Sequence, residues 1–398
     1  MGSRRTLKRV ALLIESSRAY GRGLLQGIAR YIRIHGNWSI FYQECRLGDL
    51  PEWLGEWQGD GIIARVENRR MAEAIRRKGL PAVDVRGLLP DLGLPVVDAD
   101  NAAIVRAAME LFLRRGFKQV AFCGFAGADY SDTRSRCMEH EAKAAGLPCH
   151  IYSSSSPVFQ SDSETASGTF EYEQQGLVYE PDLEQWLLRT PKPIGLLACN
   201  DIRGQQVLNA CRRLNLAVPD QVAVLGVDND RILCELSSPP LSSIEPDTLR
   251  TGYEAAVLLD KMMTGAKAPE RRLLIPPIRV VERRSTDVLA VDDPQVAAAL
   301  RFIRERAAED ISVEEVARKA GFSRRLLERR FRTYVGHTPK AELLRVRLER
   351  AKSLLLHTNL TLGAIAEKCG FRHTEYFHAV FKRKTGATPA RFRAQGRL

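Results

Sequence analysis

At 398 residues the chain is too long for one ordinary hydrophobic core, so two or three domains are expected. Its 44% hydrophobic and 27% charged content is that of a soluble globular protein. No run approaches the roughly 18 apolar residues that would span a membrane, and the apolar stretch at 10–14 is too short for a signal-peptide core, which points to the cytoplasm. The net charge of +12 is unevenly placed: residues 296–398 hold 23 Lys and Arg against 10 Asp and Glu, leaving 37 against 38 for the rest. A basic domain joined to a neutral one implies an anionic polymer as partner of the basic one alone.

In chain order, residues 10–14 form an apolar run of strand length, and residues 23–34 carry Leu24, Ile28, Tyr31 and Ile32 at helical spacing. Strand-like runs recur at 39–42, 61–64, 82–85, 120–123, 195–198 and 222–227, separated by helical segments that are clearest at 101–115 and 202–214. This alternation predicts parallel sheets covered on both faces, and its length favours two α/β lobes. Residues 149–176, with Ser153 to Ser156 in a row, read as a surface insertion.

Polar residues collect where strands end, and α/β sheets bind ligands at those carboxyl ends. Glu15, Ser17 and Tyr20 follow the first run; Asn200 and Asp201 follow the run at 195–198; Asp228, with Asn229 and Asp230, follows the last. Helix capping is the alternative for Asp201. The glycines at 21, 23 and 27 do not make G-x-G-x-x-G, and G-x-x-x-x-G-K-[ST], H-E-x-x-H and G-x-S-x-G are absent. Eight cysteines without a C-x-x-C pair suggest reduced thiols and no zinc. An enzyme is therefore not expected, nor is a cofactor or a metal.

The N-D after one strand, the G-V-D-N-D after the next, P-P-L-S-S-I at 239–244 and I-R-V-V-E-R-R-S-T at 278–286 resemble the effector module of lac-repressor-type regulators. The resemblance implies a periplasmic-binding-protein-like fold, two lobes crossed by three chain segments with a sugar in the cleft. Its ligand positions fall on Asn200 and Asp228, and on an arginine near the helix after 120–124, where Arg134 and Arg136 compete and Arg136 is favoured. Carboxylate, amide and guanidinium match sugar hydroxyls, and Tyr20 can cover an apolar ring face.

The remaining stretch says nearly the same thing twice. Ser312, Ala317, Gly321 and Phe322 correspond to Thr361, Ala366, Gly370 and Phe371; Phe331, Gly336, Thr338 and Pro339 correspond to Phe381, Gly386, Thr388 and Pro389. Each copy reads as a capped short helix, a glycine turn and an amphipathic second helix, which is a helix-turn-helix. A helical solenoid would need a third copy. In the first copy Leu327 and Phe331 face inward and Arg324, Arg325, Glu328 and Arg329 outward; in the second, Phe377 and Phe381 face inward and Thr374, Glu375 and His378 outward. Between the copies, residues 339–357 predict one helix of roughly 27 Å, a spacer suited to successive major grooves about 34 Å apart.

A-x-x-x-G-F-S in copy one and G-F-x-x-x-x-Y-F-x-x-x-F-K-x-x-x-G-x-T-P in copy two resemble the arabinose-regulator family, an all-α tandem helix-turn-helix domain. The resemblance implies base reading by Arg325, Glu328 and Arg329, then Thr374, Glu375, His378 and Ala379, with Arg324 alongside. Arg329 suits guanine and Glu328 cytosine; Ala379 departs from the arginine common at its position. A sensor ahead of such a domain is similar to the group of xylose operon regulators. That implies domains at 1–287 and 297–398 joined by a linker at 288–296, a pentose effector (D-xylose first), a homodimer on double-stranded DNA, contact with RNA polymerase, and activation. A response to another sugar, or a ligand-independent nucleoid protein, is the alternative.

Overall fold

Short apolar runs become strands buried on both faces, and the helices between them supply the cover. The computed structural model describes residues 7–36, 38–46, 49–88, 93–152, 180–267, 272–288, 291 and 293–395. The chain divides into two compact units between Val288 and Leu289.

In the first lobe of the first unit, β1 (Lys8–Leu13), β2 (Trp38–Tyr42), β3 (Gly61–Ala64) and β4 (Ala82–Asp84) form a parallel sheet in the order β2-β1-β3-β4. Asp84 bridges Val96, which leads into β5 (Val97–Ala99), paired in parallel with β11 (Leu273–Ile275). Helices α1 (Ala19–His35) and α8 (Thr248–Met263) share a core with β1 and β3 through Leu24, Ile28, Ala255, Leu259, Val10 and Ile63. They touch backbone to backbone: a Cβ on Gly27 would lie 2.1 Å from the carbonyl oxygen of Leu249, and one on Gly252 2.1 Å from that of Leu24. No side chain fits at either position. Helix α2 (Arg69–Arg77) buries Met71, Ala72 and Ile75 on the opposite face.

The second lobe holds a six-stranded sheet in the order β12 (Arg279–Val281), β10 (Ser242–Glu245), β9 (Val222–Val227), β8 (Ile194–Ala198), β6 (Val120–Cys123), β7 (Cys149–Tyr152). Only β12 is antiparallel to its neighbour among the described residues. Helices α3 (Asn101–Arg114), α4 (Asp129–Ala144), α5 (Pro181–Arg189), α6 (Asp201–Arg213) and α7 (Arg231–Leu236) complete it. The chain passes between the lobes three times, near 100, 246 and 277, as the resemblance implied. Residues 149–152, read as the start of an insertion, are instead the edge strand β7 paired to β6. The rest of that insertion, the Ser-rich run included, lies outside the described residues.

The second unit is helical. Asp293 caps α9 (Pro294–Arg306) by accepting from the Gln295 and Val296 amides, so helix begins within the stretch read as linker at 288–296. Ser312 and Glu315 form a capping box on α10 (Val313–Lys319), and Ser323 caps α11 (Arg324–Tyr334). Helix α12 (Pro339–His357) spans the predicted spacer; α13 (Leu362–Lys368), capped by Thr361, and α14 (Thr374–Thr385) repeat the motif, and α15 (Pro389–Gln395) closes it. Gly321 and Gly370 take φ of 72° and 79° at the ends of α10 and α13, the left-handed turn predicted there. Each copy has its own core, one around Leu300, Leu327 and Phe331, the other around Leu355, Phe377 and Phe381.

Candidate effector cleft and nucleic-acid interface

The cleft is assembled from strand ends of both lobes. Arg18 and Tyr20 follow β1, Arg65 follows β3, Arg86 lies just beyond β4, and Asp98 sits in β5; across from them stand Asn101, Tyr130 and Arg134 of α3 and α4, Asn200 after β8 and Asp228 after β9. This is the carboxyl-end placement expected of α/β ligand sites.

Charged groups behind the wall hold it in place. Glu15, 2% exposed, accepts from Arg65 Nη1 at 2.5 Å. Glu67 lies 3.0 Å from Arg65 Nε and 3.2 Å from Arg86 Nε. Tyr20 donates to Asp98 Oδ1 at 3.2 Å, with Arg65 over its ring, and Tyr130 is flanked by Arg86 at 4.7 Å and Arg134 at 5.3 Å. Arg134 donates to Asn101 Oδ1 at 2.8 Å and to the Cys199 carbonyl. Asn200 uses its carbonyl to cap α6 and donates Nδ2 to the Tyr130 hydroxyl at 3.2 Å. Asp228 has φ of 107°, a left-handed backbone uncommon outside glycine and typical of functional turns. Its carboxylate accepts no hydrogen bond among the described residues. Burial pushes its pKa up while Arg134, Arg65, Arg18 and Arg86 pull it back, which places four guanidiniums within electrostatic reach of it. Burial likewise raises Asp98, and lifts Asp84, which anchors the Arg86 turn through three backbone amides, to about 7.

Of the residues proposed from sequence, Tyr20, Asn200 and Asp228 line the cleft. Three expectations are corrected. Arg134, not Arg136, lines it: the buried face of α4 runs through Ser131, Arg134, Met138 and Ala142, and a residue two further on points about 200° away, where Arg136 meets only Thr133 among the described residues. Asp201 lies beneath the site, accepting from Ser243 Oγ at 2.6 Å and the Asp230 amide at 2.7 Å, so it shapes the Asp228 turn. Ser17 is exposed, its carbonyl accepting from Arg22 at 2.8 Å, while Glu15 acts through Arg65. Sequence reasoning missed Arg18, Arg65, Arg86, Asp98, Asn101 and Tyr130. A signal existed for Arg65 and Arg86, since each closely follows an apolar run.

In the second unit, α11 buries Leu327 and Phe331 and exposes Arg324, Arg325 and Arg329, with Glu328 half-buried. Arg324 is held between Glu314 and Glu328, the latter at 3.1 Å. Arg325 and Arg329 make no side-chain bond among the described residues. On α14, Glu375 and Ala379 are exposed and Thr374 is half-buried in the first turn. His378 differs from the outward placement expected of it. It is half-buried with its ring edge-on to Phe377, and its Nε2 is enclosed without a hydrogen-bond partner among the described residues. Tyr376, not singled out from sequence, is exposed on the same helix.

Comparison with known proteins agrees with both halves. Residues 9–92 match the model of the XylR N-terminal domain, 109–286 that of a periplasmic binding protein-like domain, and 316–395 that of a helix-turn-helix domain. The xylose operon regulatory protein of Escherichia coli (strain K12) is 33% identical over 97% of this chain and 96% of its own, and that of Haemophilus influenzae is 31% identical over 97% and 98%. The solved structure of the xylose-binding transcription activator xylR superposes with a TM-score of 0.74 at 30% identity, covering 97% of this chain and 98% of that one. No helix among the described residues is long and apolar enough to cross a membrane. The chain belongs to the family of xylose operon regulatory proteins, DNA-binding transcription regulators in which a LacI-like sugar-sensing module precedes an arabinose-regulator-type helix-turn-helix domain.

Proposed function

We propose that this regulator binds one neutral monosaccharide, a pentose of the D-xylose kind, in the cleft of its first unit, and that binding there changes how its second unit engages an operator. The observation that carries the reading is Asp228, a carboxylate lining the cleft with no hydrogen bond among the described residues. It is a ready acceptor for two hydroxyls, with guanidinium and amide donors around it. The charge balance supports a neutral effector: Arg18, Arg65, Arg86 and Arg134 are matched by Asp98 and Asp228 in the wall and by Glu15 and Glu67 behind it. A sugar acid or sugar phosphate would leave its own charge uncompensated in a desolvated site.

On the DNA side, Arg325 and Arg329 of α11 and Glu375 of α14 are offered to base edges, with Arg324 and Thr374 near phosphates, and one chain spans two successive major grooves. The relatives' names support a homodimer less directly than they support activation; pairing of two sensors, action in the cytoplasm and contact with RNA polymerase complete the proposal. The test is thermal unfolding of the full chain against neutral pentoses, hexoses and their corresponding aldonates and phosphates. A neutral pentose at a hundred times its Kd should add about 2.7 kcal/mol to the first unit. A larger shift with the aldonate would overturn the neutral assignment. If no carbohydrate gives a shift, the cleft is not a sugar site.

A further inference from the structure

The two helix-turn-helix copies have separate cores, and α12 contributes to both: Leu343 belongs to the first, Leu348, Ala351 and Leu355 to the second. A single helix joining two cores fixes their separation but resists twisting and bending only weakly. A second contact closes the joint, formed by residues that are neither on an exposed recognition face nor in either core.

Arg347, halfway along α12, donates from Nε to the Ala307 carbonyl and from Nη2 to the Glu309 carbonyl, both at 2.8 Å. These carbonyls lie just past the end of α9, so an arginine leaving the joint helix serves as the C-terminal cap of the first copy's leading helix. The same guanidinium lies 5.9 Å from the ring centroid of Phe371 in the turn of the second copy. In that turn Gly370 has φ of 79°, and a Cβ there would lie 2.5 Å from the Ala307 carbonyl oxygen and 3.0 Å from Arg347 Nε. Next to it, Arg372 is paired with Asp310. The segment 307–310 of copy one is therefore gripped by 370–372 of copy two, with Arg347 between them.

We infer that this seam sets the rotation of one helix-turn-helix about α12 relative to the other, and so the spacing of the two half-sites that a single chain accepts. Arg347 acts as a positioning residue through protein contacts. The inference rests on the reading that one chain spans two grooves. It goes beyond that reading by assigning spacing selectivity to residues outside the recognition helices.

The experiment is selection of DNA from a random duplex library by the full chain, followed by affinity measurement on the selected site with one base pair inserted between its halves. The unaltered chain should enrich two half-sites at one spacing and lose at least about tenfold on insertion, the scale of a disrupted specific contact. Arg347→Met should enrich the same half-site letters over a spread of spacings and lose less than about threefold on insertion, with Arg347→Lys in between. One sharp spacing and an undiminished insertion penalty in Arg347→Met would overturn the inference. Should Arg347→Met fail to fold, Arg372→Gln, at an exposed position, decides instead: a spread supports the seam and unchanged spacing overturns it. Enrichment of a single half-site by the unaltered chain would contradict the two-groove reading itself.

Discussion

Arginine does opposite work in the two units. In the first, Arg203 is wholly buried, and the side chains of Arg65 and Arg86 are only 10% and 12% exposed, each facing a carboxylate. In the second, the arginines of α11 stand in solvent; Arg324 is 59% exposed, and Arg325 and Arg329 have no partner among the described residues. A buried guanidinium must be compensated inside the fold, which fixes its geometry and suits recognition of one small rigid ligand. An exposed one keeps its donors for a partner that brings its own charge. The carboxyls follow the same division. Burial raises Asp84, Asp98, Asp201 and Asp228; in the second unit Glu342 is held low by Arg345 and His337 in spite of burial.

The comparison can be broken most sharply at Arg203. Its guanidinium donates to Glu180 at 2.6 Å and Gln206 at 2.7 Å between the rings of Phe125 and Tyr152. Arg203→Met should destabilise the first unit by about 3–5 kcal/mol, because Glu180 loses its counter-ion. Urea titration would read this, and a loss below about 1 kcal/mol would show that the pair is not compensating burial. Asp228→Asn should weaken sugar binding by about 1.5–3 kcal/mol, the worth of a charged hydrogen bond, in isothermal titration. Unchanged affinity would remove Asp228 from the site.

Arg329→Ala should cost about 1–3 kcal/mol at one base pair while sparing other positions. A uniform loss across sequences would make Arg329 a phosphate contact. The smallest effect is on pH dependence. A carboxyl raised in the folded state contributes stability that is present below its unfolded pKa and lost as pH rises through the folded one. For Asp84 that window runs from about 4 to about 7. Glu342, lowered when folded, contributes stability that is lost as pH falls below about 4.5. Calorimetry should therefore show the transition of the first unit dropping between pH 5 and 7 in a way that Asp84→Asn flattens, while that of the second drops only in acid.

Elements with a strong internal pattern were legible in the sequence. The apolar runs at 61–64, 120–123 and 222–227 are strands from end to end, and the duplicated motif told its buried phenylalanines from its exposed arginines. The strands β5 and β10 were not, because Val-Asp-Ala and Ser-Ser-Ile-Glu have no periodicity of their own and are strands through pairing with distant partners. In the cleft, Asn200 and Asp228 were legible as polar groups after buried strands. Arg65 and Arg86 carried the same signal, but an arginine after a strand usually faces solvent, and here Glu15 and Glu67 turn it inward. Choosing Arg134 over Arg136 needed the phase of α4, which its weakly apolar sequence leaves open. The seam joins residues 40 and 62 positions apart and has no local signature.

The central claim is that ligand in the cleft governs DNA binding by the second unit, and affinity of the full chain for its selected operator, measured with and without saturating D-xylose, tests it most directly. The account predicts a sugar-dependent change in operator affinity that Asp228→Asn abolishes while leaving sugar-free DNA binding intact. Operator affinity that no neutral sugar alters, or a sugar response that survives in Asp228→Asn, would contradict it.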